Sequence, residues 1–406
     1  MAFVHRQSCE GVKSELDIFS VPPTVTSIER GQWMEHQPTA SLDSGGPIEF
    51  LLPGSGDAYM DLANTYLFVR AKVTKPDGLN LDTDNAVGPV NNWLHSLFSQ
   101  VDVYLNDTLV TPSTNTYPYR ACIETALSYG ADAKETQLTS QLWYKDTAGR
   151  MDSVALADDD TANVGFKNRR NYTTRSRVVE MMGRLHVDMF LQDRFLLNGV
   201  DVNIQLVRSK DAFALMAGGA NHDYKVNIID ASVFARKATL TTAVQMAHIN
   251  ALDKGTAKYP LRPVDCKVYT IPQVAMSHTL ENLFLGTLPK RLVLCCIDND
   301  AFNWSYSKNP FHAKHNDINF LAVYVDGRQV PVLLHWQNFG NGYTFFGFDL
   351  TPDACDGSCF HLVKKSNLRV EIHFAATLTQ TVNVVAYGEF EAVLEIDKNR
   401  NVIFDY

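Results

Sequence analysis

The sequence predicts an all-β chain of two tandem β-sandwiches with short helical insertions, following an N-terminal arm. Three observations predict it. Apolar and polar residues alternate with a period of two in many short segments, as strands with one buried and one wetter face require. Gly, Pro, Asn and Asp separate these segments as turns. A strand–turn–strand unit at 101–110 recurs at 321–330, which points to a duplicated architecture. A length of 406 residues fits two domains of about 200 better than one.

Residues 1–45 read as the arm, because Pro22–Pro23, Gly31, Pro38 and Gly45–Gly46 interrupt it and no periodicity is sustained. Its large apolar residues Phe19, Ile28 and Trp33 stand isolated, and a solvated tail gains nothing from them. They are candidates for docking on a neighbouring surface.

The first sandwich is expected over 46–218. Strands read at 47–52 and 65–74, where Leu67, Val69 and Val73 share one face and Tyr66 and Phe68 the other. Those two outward aromatics occupy positions that a lone monomer would make polar, so they are assembly candidates. A helix follows at 90–98, with Val90, Trp93, Leu94, Leu97 and Phe98 on one stripe. Another at 118–129 opens on Pro118, closes at Gly130 and aligns Tyr119, Ile123 and Leu127. A third is expected near 133–143, and strands resume at 178–190 and 200–206. The second sandwich, 219–406, has strands at 225–238, 264–271, 290–298, 318–326, 343–350, 368–374 and 390–396.

In the repeat, VDVYLNDTLV (101–110) aligns with LAVYVDGRQV (321–330). Both carry Val-Tyr, an apolar residue, a turn pair (Asn106-Asp107 or Asp326-Gly327) and a closing Val. A fainter match sets LHVDMF (185–190) against LRVEIHF (368–374). The two spacings differ, so the first copy carries a longer insertion, expected within 113–177.

Composition narrows function. Hydrophobic residues make up 45% and charged residues 20%, an ordinary globular profile. A net charge of −9 argues against a nucleic-acid coat, which is normally basic. No apolar run is long enough to span a bilayer, and MAFVHRQSCEGVKSEL has no apolar leader core. Seven cysteines without a regular framework read as reduced thiols. The sequons at Asn106, Asn171 and Asn303 therefore carry no expectation of glycosylation.

Candidate chemistry is sparse, and neither a catalytic centre, a metal nor a cofactor is expected. Cys355, Cys359, His361 and His373 are zinc-ligand types but lack a second matching pair. His312 and His315 flank Lys314 without a metalloprotease pattern. Gly54-Ser55-Gly56 does not carry the glycine spacing of a nucleophile elbow. Gly340-Asn341-Gly342 reads as a hairpin turn, since no phosphate-loop lysine follows. Lys167, Arg169, Arg170, Arg175 and Arg177, with Tyr172 interleaved, resemble a single-strand contact, but a solvated loop whose charges pair locally or across a subunit interface is the expectation.

Several long segments carry a family likeness: DIFSVPPTVTSIERGQW (17–33), GGPIEFLLPGSGDAYMDLANTYLFVRAKV (45–73) and STNTYPYRACIETALSYG (113–130), then LFLGTLPKR (283–291) and FNWSYSKNPFHAKHNDINFLAVYVDGRQVP (302–331). In this order they resemble the major capsid proteins of Polinton (Maverick) elements and adintoviruses, some of which persist as copies in animal genomes. The resemblance implies two jelly-rolls side by side, a pseudo-hexagonal homotrimer and an icosahedral shell with separate penton and minor capsid proteins. It implies localisation to the virion, with no catalytic site, no cofactor, no membrane insertion and no direct nucleic-acid binding. The competing readings are a minor or penton capsid protein, which one jelly-roll would serve, and a cellular β-sandwich binding module.

Overall fold

The structure is a computed structural model, and it describes every residue except 1–6, 8–10, 12, 43–44, 55, 158, 219–222, 333–338, 353–358 and 405–406. Six strands open the chain: β1 (Ile28–His36), β2 (Ile48–Leu52), β3 (Ala58–Thr74), β4 (Val87–Pro89), β5 (Phe98–Leu105) and β6 (Thr108–Leu109). The helices of this half begin with α1 (Trp93–Ser96), before β5, then α2 (Tyr117–Ser128), α3 (Ala131–Glu135) and α4 (Val164–Thr173). β7 (Val179–Arg184), β8 (Val202–Arg208), α5 (Asp211–Ala214), β9 (Leu215–Ala217) and β10 (Lys225–Leu240) complete it.

Two four-stranded antiparallel sheets, β1-β10-β3-β7 and β2-β8-β5-β6, form the first sandwich. Alternation places Leu67, Val69, Ala71 and Val73 of β3 and Val233 and Ala235 of β10 inward. They share one core with Val103 and Leu105 of β5 and with Ile204 and Leu206 of β8. The two inner faces thus supply the apolar layer that a sandwich needs.

The remaining elements are α6 (Thr242–Leu252), β11 (Ala257–Leu261), β12 (Val264–Ile271), β13 (Ser277–Leu280), β14 (Arg291–Asp298) and α7 (Asn299–Phe302). They continue with β15 (Ile318–Val325), β16 (Arg328–Val330), β17 (Phe346–Asp349), β18 (Leu368–Phe374), β19 (Val382–Glu389), β20 (Ala392–Ile396) and β21 (Val402–Ile403). Here the sheets are β12-β19-β14-β17 and β13-β18-β15-β16. Strands β12 to β19 occupy, in order, the places of β1, β2, β3, β5, β6, β7, β8 and β10. Each sandwich is an eight-stranded jelly-roll, and the chain is a double jelly-roll.

The hairpins at 101–110 and 321–330 are β5–β6 and β15–β16, equivalent in the two rolls. Their turn pairs share a physical cause: Asn106 and Asp107 (φ 43° and 60°) and Asp326 and Gly327 (φ 48° and 78°) are all left-handed. Two-residue hairpins of the mirror-image type need this conformation. The fainter match is a correction. The partner of β18 is β8, whereas 185–190 is a fully buried run ending in a short 3-10 turn at Asp188–Phe190. Burial on all sides made it look like a strand.

Other expectations shift as well. The arm expected over 1–45 contains β1, the first strand of the first roll, which pairs with β10 from Ile28↔Leu240 to His36↔Val233. The boundary expected at 218/219 falls before β10, which hydrogen-bonds into the first roll between β1 and β3. Of the helices, 90–98 shrinks to α1, 118–129 matches α2 within one residue, and 133–143 divides into α3 and a 3-10 turn at Gln137–Gln141.

The rolls adhere through a second apolar core. Tyr119 of α2 stacks on Phe302 at 5.7 Å and meets Phe213 and Phe311 edge-on at 5.8 and 5.9 Å. Ile123, Cys295, Val385 and Phe345 join the same cluster, so the helical insertion of the first roll is wedged against the sheet of the second. β11 and β20 pair with each other, and their Tyr259, Leu261, Leu394 and Ile396 pack into the core of the first roll.

Candidate assembly interface

The sheet β1-β10-β3-β7 turns its other face outward. Cross-strand register puts Glu35, Phe234, Tyr66 and Arg184 in one row, with Ser232, Phe68 and Met182 in the next. Trp33 lies 5.7 Å from the Tyr66 ring, and Phe68 meets Phe234 edge-on at 6.3 Å. The Arg184 guanidinium sits 5.5 Å from the Tyr66 ring. Trp33 remains 52% exposed and Met182 37%, while Tyr66, Phe68 and Phe234 between them are half-buried. Charged pairs border it: Arg236 with Asp61 at 2.9 Å, and Arg70 with Glu180 at 3.2 Å. An apolar centre within a charged rim is the anatomy of a protein–protein interface.

The assembly candidates named from sequence do not all meet here. Trp33, Tyr66 and Phe68 converge on the patch. Ile28 instead opens β1 and packs partly against the core. Phe19 lies apart, 95% exposed in the segment before β1. Phe234 and Met182 were missed, although alternation along 225–238 and 178–190 places both outward.

A buried ionic network fixes the geometry of the seam between the rolls. Arg120 of α2 donates from Nε to Glu124 at 2.8 Å and from a terminal nitrogen to Asp188 at 2.6 Å. His186 Nδ1 lies 2.6 Å from the second oxygen of Glu124, and the hydroxyl of Tyr387, from the second roll, donates to the first at 3.4 Å. Burial opposes ionisation of Glu124, yet Arg120 and His186 outweigh it and hold the carboxyl at about 2. Burial instead raises Asp188, with Arg120 offsetting it only in part. His95 lies edge-on to His186 at 4.7 Å, with Tyr117 at 2.9 Å and Gln141 at 3.1 Å. Burial, then the neighbouring His186, pushes its pKa well below 6.5.

The remaining motifs scatter. His312 pairs with Asp152 at 2.8 Å, while His315 meets Phe339 edge-on. The backbone N–H of His361 donates to Glu391, and His373 pairs with Glu371 on β18. Cys355 and Ser55 lie outside the described residues. Among the described residues, no three His, Cys, Asp or Glu side chains gather as metal ligands. None of the helices described is long and apolar enough to cross a membrane.

The basic stretch is not a solvated loop. It begins in α4, where Arg169 is completely buried and donates to Asp146 at 2.7 Å, to the Tyr144 carbonyl at 2.6 Å and to the Pro89 carbonyl at 2.9 Å. Arg170 donates to the carbonyls of Thr83 and Asn85. These two cations are used up locally.

No known family model matches the chain. It is similar to an uncharacterised protein of Caenorhabditis elegans, 24% identical over 430 residues that span 95% of this chain and 99% of that one. Among solved structures, one from the Sputnik virophage superposes with a TM-score of 0.71 at 13% identity, covering 100% of this chain and 94% of that one. The major capsid protein of mavirus gives 0.59 at 10% identity over 100% and 97%. That of Faustovirus gives 0.59 at 10% identity over 96% and 93%. At these identities the likeness is one of fold.

Proposed function

We propose that this chain is a structural major capsid protein that trimerises into a pseudo-hexagonal capsomer and tiles an icosahedral shell. The observation that carries the reading is the fusion of two complete jelly-rolls in one chain, wedged rigidly together. Three such chains present six barrels, enough to fill a site of six neighbours. Closed cyclic association is the common route to such an oligomer.

The capsid proteins that share the fold support this reading, as does the outward patch of Trp33, Tyr66, Phe68, Phe234 and Met182. Covering the exposed parts of Trp33 and Met182 there is worth about 1 kcal/mol each. The partners are copies of the chain itself and, in the finer reading, penton and minor capsid proteins in a virion. The sequence likeness to Polinton and adintovirus proteins supports that finer reading.

Light scattering and negative-stain imaging of the purified protein test the proposal. Particles of three times the 45.4 kDa chain mass with a hexagonal outline are expected. A stable monomer at micromolar concentration would sink it. Trp33→Ala is expected to weaken the trimer without unfolding the chain.

A further inference from the structure

The linker between the rolls carries a helix that the single chain leaves bare. α6 is held down by one stripe. Val244 packs against the first core, His248 Nδ1 lies 3.0 Å from the Tyr59 hydroxyl, and Leu252 is buried. Its outward side carries Ala243, Met246, Ala247 and Ile249, with Met246 54% and Ile249 52% exposed. No Lys, Arg, Asp or Glu occurs between Lys237 and Asp253. A surface helix normally opposes its apolar stripe with a charged face, and one that is apolar all round is normally covered.

A second bare segment starts at the same corner. The N–H of Thr241, at the entry to α6, donates to the carbonyl of Ser27 at 3.1 Å, so the arm leaves β1 beside this helix. Residues 18–28 contain no charged side chain, and Ile18, Phe19, Val21 and Val25 are 71–95% exposed. Pro22–Pro23 stiffens the run and reduces the entropy lost when it is laid on a surface.

We propose that the arm segment 18–26 of one copy covers the outward face of α6 on a second copy, in a cyclic exchange around the capsomer. The inference rests on the trimeric capsid reading and adds a second contact to the outward patch around Trp33. Charge matches on both sides: neither surface has an ion to desolvate, so contact buries apolar area without an electrostatic penalty. Size matches too. A stable interface takes about 20–30 residues a side, and the arm run with the 11 residues of α6 reaches that range only if each copy both gives and receives. A closed ring meets that condition; a chain covering its own helix leaves a neighbour only the outward patch around Trp33.

Disulfide trapping tests it. Two differently tagged full chains, one Val21→Cys and one Met246→Cys, both with Cys9, Cys355 and Cys359 replaced by Ser, are co-expressed and oxidised. Covalent dimers carrying both tags are expected, and Met246→Glu should raise the trimer dissociation constant at least tenfold while leaving the circular dichroism unchanged. Trimers that give no mixed-tag dimer would overturn the inference while the capsomer reading stands. A doubly substituted chain that traps only within itself would overturn it equally. Folded monomers by light scattering would overturn both.

Discussion

Burial of His95 is expected to make the first roll less stable in acid. Its imidazole is buried with His186 at 4.7 Å, and Tyr117 and Gln141 bond both ring nitrogens. Glu124, the one carboxylate that favours its charged form, is already engaged by Arg120 and His186. The folded pKa is lowered, so below 6.5 the unfolded chain takes up a proton that the folded chain refuses. Stability from this group is therefore complete above pH 6.5 and drains away as pH falls toward the folded value. One pH unit below 6.5 costs about 1.4 kcal/mol. Urea denaturation at fixed chain concentration, which holds the contribution of association constant, measures it at pH 7 and 5.5. His95→Gln should be less stable at pH 7 yet lose about 1.4 kcal/mol less on acidification than the parent. Equal losses in both proteins would refute the argument.

Other expectations follow from the same geometry. Deleting residues 1–26 should leave a folded chain with impaired assembly, whereas deleting 1–36 removes β1 and should cut soluble yield and thermal midpoint sharply, read by expression and calorimetry. Arg169→Ala strands Asp146 in the core and should cost about 3–5 kcal/mol in denaturant unfolding. At Gly54 an added Cβ would lie 2.1 Å from the Val200 carbonyl oxygen, so Gly54→Ala should destabilise by about 1–3 kcal/mol in the same assay. Replacing Cys355, Cys359 and His361 together should leave the trimer intact by light scattering. Stoichiometric zinc lost with folding in that variant would contradict it.

The fold was most legible where one strand face meets the core and the other meets water. β8 and β18 alternate cleanly for that reason, and the left-handed turn pairs made the duplicated hairpins recognisable. β1 escaped because its sequence, IERGQWMEH, is exposed or half-exposed along its whole length. An edge strand of this kind, awaiting a cover, has no inward face to impose a period. α4 and α6 escaped for opposite reasons. α4 hides a buried arginine among residues that look solvated, and α6 lacks the charged face that helical periodicity relies on. Of the outward patch, Trp33, Tyr66 and Phe68 were visible singly, but only register across four strands brings them to Phe234 and Met182.

The return of β20 to the first roll has a bearing on synthesis. Leu394 and Ile396 enter a core whose other fully buried residues all precede 262, and Asn106 donates to the carbonyl of Arg400 at 3.0 Å. A ribosome has therefore emitted the chain through β20 before the first barrel can be sealed, although all eight of its strands emerged much earlier. Until then the sockets around Tyr259 and Leu261 stay open, and a truncated product carries a hydrophobic flaw that chaperones and proteases can recognise. Addition of β20 thus closes the first core, which the eight strands of that roll leave incomplete by themselves.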